Sequence, residues 1–67
     1  MTVIYNGEPV KLPNDYMNLS EVAIWKNIPS QGAAIAINDK LVKRDQWTVT
    51  RLNEGDRITV ITAAFGG

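Results

Sequence analysis

Sixty-seven residues, 45% of them hydrophobic, describe one small folded domain. Its core nets roughly 3–5 kcal/mol, too little for a second domain or a large cavity. Seven Lys and Arg balance seven Asp and Glu, which argues against phosphate-neutralising nucleic-acid binding and against a polybasic membrane peptide, while the absence of Cys and His removes disulfides, a thiolate nucleophile and the commonest general base and metal ligand.

Thr2-Val3-Ile4-Tyr5 is β-branched and aromatic and runs directly into Asn6-Gly7. That pair is the strongest short hairpin signal, because a type I′ turn needs positive φ at both central residues. Glu8-Pro9-Val10-Lys11-Leu12 then alternates polar and apolar as a half-buried return strand. Pro9 has no amide hydrogen, which places this strand at a sheet edge. Pro13-Asn14-Asp15 breaks the pattern. Asn18 stands three residues before Glu21, the spacing of a capping box, and a helix is expected from Leu19 to about Asn27, ending before Pro29. At about 100° per residue, Leu19, Val22 and Ala23 share one face, and Lys26 falls on it too. Ile24 and Trp25 flank that face on opposite sides. The reading buries Trp25 and leaves Ile24 partly exposed.

Ser30-Gln31-Gly32 is a loop, and Ala33 to Ile37 reads as a short, well-buried strand. Asn38-Asp39 turns it into Lys40-Leu41-Val42. Lys43-Arg44-Asp45-Gln46-Trp47 carries three charges and one large aromatic, the pattern of an irregular loop anchored by one side chain. Thr48-Val49-Thr50 is read as extended. Asn53-Glu54-Gly55-Asp56 is a turn with Gly55 at positive φ. Arg57 to Ala63 is the most β-prone stretch and is apolar on both faces, as a central strand is.

The order β-β-α-β-β-β gives an α+β fold. The first and last strands are the most apolar and sit side by side at the centre of a mixed sheet, with one helix packed on one face. This is the ubiquitin-like β-grasp, expected over residues 1–63, with residues 64–67 as a flexible C-terminal tail.

Ala64-Phe65-Gly66-Gly67 closes the sequence. Two glycines directly after a strand bury nothing and maximise unfolded-chain entropy, so stability gives no reason for them. Small frayed ends are common, and a terminal Gly-Gly alone is a weak signal. The strand before it adds weight, since it launches four residues that reach roughly 13 Å when extended, enough to enter a partner's active site. A carboxylate is a poor electrophile, but its mixed anhydride with AMP is a good one. With no Cβ on Gly67, attack on that carbonyl is unhindered, and Gly66 lets the backbone thread a narrow channel. A chain without cysteine can carry transferable sulfur only as a C-terminal thiocarboxylate. The tail has no buried anchor unless Phe65 supplies one, and motion on the ns timescale is expected.

Ala36-Ile37-Asn38-Asp39, Val42, Arg44-x-x-Trp47, Leu52-x-x-Gly55-Asp56-x-Ile58 and Gly66-Gly67 together carry a resemblance. Over essentially the whole chain they resemble the ThiS family of thiamine-biosynthesis sulfur carriers. Asn38 followed by Arg44-Asp45-Gln46-Trp47 is the most family-specific part after the tail. Phe65 and Lys26 depart from the pattern. The resemblance implies that Gly67 is adenylated, with ATP and magnesium, by an enzyme similar to ubiquitin-activating proteins. It implies sulfur delivered through a cysteine desulfurase and a thiocarboxylate handed to thiazole synthase, with Gly66, Phe65 and Ala64 docking in the partner enzymes. The chain itself would be a carrier, not an enzyme, and would bind no cofactor; no phosphate-cradling glycine loop is visible.

Plainer roles fall to other residues. Trp47 pins a loop to the core, Arg44 ties its own loop, and Asp39 and Asp56 are turn residues. Glu54 is read as solvated, in preference to a carboxylate metal site with Asp45 and Asp56. The face of the sheet opposite the helix keeps uncovered apolar residues of the last strand and is the expected docking face for partner enzymes. A molybdopterin-type sulfur carrier shares the fold and the glycines but tends to be longer, with Pro-Pro where this chain has Ile61-Thr62-Ala63-Ala64-Phe65. A ubiquitin-like modifier is disfavoured by the lack of arginine near the glycines. A small interaction domain with incidental glycines is the alternative of a different class. The N-terminus lacks the basic and apolar regions of a secretory signal, and no apolar run approaches the ~18 residues of a membrane span, so a cytoplasmic protein without membrane or nucleic-acid partners is expected.

Overall fold

The computed structural model describes residues 1–29 and 31–62. Strands β1 (Thr2–Tyr5) and β2 (Glu8–Lys11) form an antiparallel hairpin. Asn6 and Gly7 join them with φ of 47° and 86°, the two left-handed values that a type I′ turn requires. Helix α1 (Leu19–Trp25) follows, then β3 (Ala33–Ile37), β4 (Lys40–Val42), a 3₁₀ helix (Arg44–Val49) and β5 (Arg57–Thr62). The strands lie in the order β2-β1-β5-β3-β4. β5 is central and parallel to β1, while the other pairs are antiparallel. The mixed sheet, the side-by-side placement of β1 and β5 at its centre and the edge position of the Pro9 strand agree with the sequence reading.

Alternation along the strands sets the core. Val3, Ile35 and Ile58 share one face of the sheet and are fully buried against Leu19, Val22 and Ala23 of α1. Leu12, Met17, Trp47 and Leu52 complete the same cluster. The helix starts where local chemistry dictates. Asn18 Oδ1 accepts the Glu21 N–H at 2.8 Å, and Glu21 Oε1 accepts the Asn18 N–H at 3.0 Å. The Leu19 N–H, another first-turn donor without an intrahelical partner, donates to the Thr50 carbonyl at 2.9 Å. Replacing the cap, Asn18→Ala, is expected to lower stability by about 1 kcal/mol. A urea titration should show this as a lower midpoint at unchanged slope.

The helix ends earlier than expected. Asn27 adopts a φ of 56°, which the helix cannot continue through. The Ile28 N–H then reaches the Ala23 carbonyl at 2.8 Å and the Asn27 N–H the Ile24 carbonyl at 3.1 Å, the bond pair of a Schellman ending. Lys26 is therefore a cap residue, exposed, and does not extend the buried stripe. Its ammonium lies 4.8 Å from the Tyr5 ring centre and 5.2 Å from that of Trp25. Trp25, expected in the core, is 41% exposed. A helix of seven residues turns only Leu19, Val22 and Ala23 inward, and Trp25 is left beside the Lys26 ammonium at the rim. Ile24 is exposed, in the expected direction.

Two other expectations are corrected. β3 is less buried than its composition suggests, since only Ile35 is fully buried and Ala34 is exposed. Residues 44–49, read as loop and then extended chain, form the 3₁₀ helix, and of the stretch Thr48–Thr50 read as extended only the C-cap Thr50 is so. The Gln46 N–H bonds the Lys43 carbonyl at 2.8 Å, and Thr50 Oγ1 bonds the Gln46 carbonyl at 2.6 Å. These local bonds outweigh the strand preference of Thr48 and Val49. Ala63, the expected strand end, and the expected tail 64–67 lie outside the described residues. No described helix is long and apolar enough to cross a membrane.

Candidate functional site

The expected site residues Ala64, Phe65, Gly66 and Gly67 lie outside the described residues. What the structure places is the strand that leads to them and the surface around it. The start of β5 is fixed by Asn38, which sits at φ 51° in the turn between β3 and β4. Asn38 Nδ2 donates to Asp56 Oδ1 at 3.0 Å, and Asn38 Oδ1 accepts the Arg57 N–H at 2.9 Å. Its own N–H donates to the Arg57 carbonyl at 2.8 Å. Asp56 is buried, and its second oxygen accepts the Asn53 N–H at 2.8 Å, closing the turn in which Gly55 has a φ of 81°. The Asp56 carboxylate thus joins two turns that are far apart in sequence, a larger role than the single turn read from the sequence.

Glu54, read as solvated, is exposed but accepts the Thr2 N–H at 3.1 Å. Among the described residues no three His, Cys, Asp or Glu side chains gather at one place. Arg57 and Asp39 form an exposed ion pair at 2.9 Å, a kind that contributes about 0–1 kcal/mol. Removing the junction, Asn38→Ala, deletes two side-chain hydrogen bonds and leaves a residue with a Cβ and no amide in a left-handed conformation. The expected cost is roughly 2–3 kcal/mol, read from thermal unfolding.

The Arg44-x-x-Trp47 pair is also architectural. Trp47 is buried and its Nε1 donates to the Val42 carbonyl at 3.1 Å. The Arg44 guanidinium lies 4.9 Å from the Trp47 ring centre, within cation–π range. Trp47 pins its segment to the core as expected. Elsewhere on the surface, the hydrogen bond from the Met1 amino group, at 2.6 Å, holds the Asp15 carboxyl below its ordinary pKa. Partial burial pushes the Tyr5 phenol up.

The face of the sheet away from α1 is the open one. Register places Ile4, Pro9, Ala34, Ala36, Leu41 and Ile61 there, since directly paired residues point to the same side. Ile61 stands opposite Ala34 and Leu41 opposite Ala36, so two large side chains rise from a floor of small ones. Leu41 is 70% and Ile61 65% exposed. Lys11 and Arg57 lie on the same face by register, Arg57 with its guanidinium paired to Asp39 and Lys11 bringing positive charge. The sequence reading reached this face through β5 but did not single out Leu41, Ala34 or Ala36. The Asn38-Asp39 turn held that signal, because a two-residue hairpin fixes which β4 residue stands opposite each β3 residue.

A mixed sheet with a parallel central pair, two flanking hairpin strands and one helix across a single face defines the ubiquitin-like β-grasp class. The ThiS family model matches residues 3–67, and the chain belongs to the ThiS family. Its fold is similar to that of a thiamine biosynthesis protein (ThiS) from Geobacter metallireducens seen in a crystal structure, with a TM-score of 0.85 at 19% identity and full coverage of both chains. A solution NMR structure of a thiamine biosynthesis protein from the same organism gives a TM-score of 0.84 at 19% identity, covering 100% of this chain and 88% of that one. No curated protein sequence matches it.

Proposed function

We propose that this chain is a sulfur carrier for thiazole formation in thiamine biosynthesis and that its working group is the carboxyl of Gly67. The observation that carries the reading is the family match, which runs through Gly66 and Gly67, the residues that in sequence follow the strand at the sheet centre. The Gly67 carboxylate attacks the α-phosphorus of ATP on an adenylating enzyme similar to ubiquitin-activating proteins, and pyrophosphate leaves. The terminal sulfur of a persulfide supplied by a cysteine desulfurase then displaces AMP to give an acyl disulfide. A thiol reductant cleaves its S–S bond to release the thiocarboxylate and leaves as the disulfide, and the thiocarboxylate passes its sulfur to thiazole synthase. ATP and magnesium belong to the activating enzyme; this chain is the substrate and binds no cofactor of its own. Gly66, Phe65 and Ala64 lie in the partner's channel, the reactions take place in the cytoplasm, and neither a membrane nor a nucleic acid takes part.

Intact-mass analysis tests this reading. After incubation with ATP, the cognate adenylating enzyme and a sulfur source, the chain should gain the mass of one sulfur in place of one oxygen, localised to the terminal peptide. A chain that stays at its original mass would rule the carrier reading out.

The open sheet face is the docking surface in this reading. Leu41→Asp and Ile61→Asp each place a charge where a partner would bury apolar area. Each is expected to raise the KM of the adenylating enzyme for this chain at least about tenfold, in line with hot-spot truncations of 1–2 kcal/mol or more. Both positions are solvent-exposed, so the fold should keep its thermal midpoint. An unchanged KM in both variants removes this face as the docking site.

A further inference from the structure

The parallel pairing of β1 with β5 stops partway along β5. Cα partners run from Ile4–Arg57 to Tyr5–Ile58, after which the Asn6-Gly7 turn carries the chain off into β2. On its other side β5 stays paired with β3 as far as Thr62, opposite Ala33. Backbone groups along a strand alternate in direction. Arg57 exchanges both of its bonds with Asn38 on the β3 side, while the Asp56 and Ile58 carbonyls accept the Ile4 and Asn6 N–H groups on the β1 side. Even-numbered positions of β5 therefore address the lane that β1 occupies and then vacates.

At the first vacated position the Asn6 side chain substitutes for backbone, its Oδ1 accepting the Val60 N–H at 2.8 Å. Beyond that point the Val60 carbonyl and the Thr62 N–H and carbonyl face the lane, and no described residue pairs with them. Thr62 is exposed. The two outer edges of the sheet are poorer templates. β2 loses a donor at Pro9, and β4 is only three residues long.

We propose that the vacated lane beside Val60–Thr62 accepts an extended segment of the adenylating enzyme as an added β-strand. This rests on the carrier reading above. Alternating donors and acceptors at strand spacing select an extended backbone, which a helix or a side-chain patch does not match. The added strand continues the line of β1, about 4.8 Å from β5. Its residue beside Ile61 lies over the open face and should be apolar. The Asn6-Gly7 turn closes the lane at one end, so pairing starts at Val60 and runs toward the residues that lead to Gly67. The enzyme would thus grip the strand and the open face together, fixing the direction in which the carboxyl is presented.

Two measurements test the proposal on the full chain with its cognate adenylating enzyme. In hydrogen exchange, the Thr62 amide should exchange freely in the isolated chain and become protected in the complex. In chemically synthesised chain, an amide-to-ester replacement at Thr62 keeps the side chain and removes the N–H, while also weakening the Ile61 carbonyl as an acceptor toward Ala34 of β3. It should lower the thermal midpoint slightly, through the weaker Ile61 acceptor, keep a cooperative unfolding transition, and raise KM about fivefold to tenfold, the worth of one interfacial hydrogen bond. Protection of Thr62 in the isolated chain through a concentration-dependent dimer would overturn the proposal in favour of self-pairing. With the parent chain adenylated normally, an unprotected Thr62 in the complex or an unchanged KM for the ester overturns the proposal and leaves the carrier reading standing. A parent chain that is never adenylated removes both.

Discussion

Deleting Gly67, or converting its carboxyl to an amide, is expected to reduce thiocarboxylate formation to background while leaving the thermal midpoint of the domain unchanged. The activation step needs a carboxylate oxygen to attack phosphorus; an amide nitrogen with its lone pair delocalised does not. Deletion leaves Gly66 with a carboxylate of the right chemistry, but the chain is one residue shorter, about 3.3–3.6 Å of reach. In a channel that aligns reacting atoms to within about 0.5 Å, that shortfall removes the group from the site. Stability separates this result from a folding defect, because among the described residues those that form the buried core lie between Val3 and Ile58. Retained sulfur transfer by the amidated chain would show that the carboxyl is not the carrier group. Mass analysis of the terminal peptide, with circular dichroism as the folding control, reads both quantities in one preparation.

Trp47→Ala is expected to have the largest effect on the fold. Removing a buried tryptophan costs about 3–5 kcal/mol, comparable with the whole net stability of a domain this small. The variant should be largely unfolded at room temperature, read as loss of the cooperative transition in urea. Trp47 is nearly inaccessible, and it also donates to the Val42 carbonyl and lies under Arg44. Trp47→Phe separates these contributions, because it keeps most of the apolar contact and removes the donor. That variant should fold and lose about 1 kcal/mol for the hydrogen bond, plus a further loss for the smaller ring. Arg44→Ala should cost no more than about 1 kcal/mol, since the guanidinium is exposed. A Trp47→Ala protein as stable as the parent would mean that the ring is not part of the cooperative core.

Much of this architecture could be read before any coordinates, where chemistry is local. Asn6-Gly7 dictates its turn because both residues tolerate positive φ. Asn18 and Glu21 dictate the helix start because each supplies what the other's backbone lacks. Pro9 marks an edge because it has no hydrogen to donate. The misreadings fall where distant partners decide. The sequence pattern carries the helix through Trp25 and Lys26 to about Asn27, but Asn27 takes the left-handed conformation while Ile28 packs half-buried against the core. Asparagine signals such an ending more weakly than glycine. Thr48 and Val49 look like strand residues, yet the bond from Leu19 to the Thr50 carbonyl fixes the end of their segment against α1. Asp56 resembles any turn aspartate until Asn38, eighteen positions away, is seen to bond it. For the candidate site, the sequence pointed to the last strand and the open face, whereas the contributions of Leu41 and Ala34 depended on register between strands.

The parallel neighbours β1 and β5 also set how the molecule bears load. An unfolding motor that seizes the chain beyond Thr62 pulls β5 along its length, away from the end at which β1 begins. Strands arranged this way slide rather than peel. The bonds from Ile4 to Asp56 and from Asn6 to Ile58 must then yield together and not one after another. Tension through β4 or β2 would instead open the sheet one rung at a time from its margin. The strand that precedes residues 63–67 is therefore also the one best held against traction from that side.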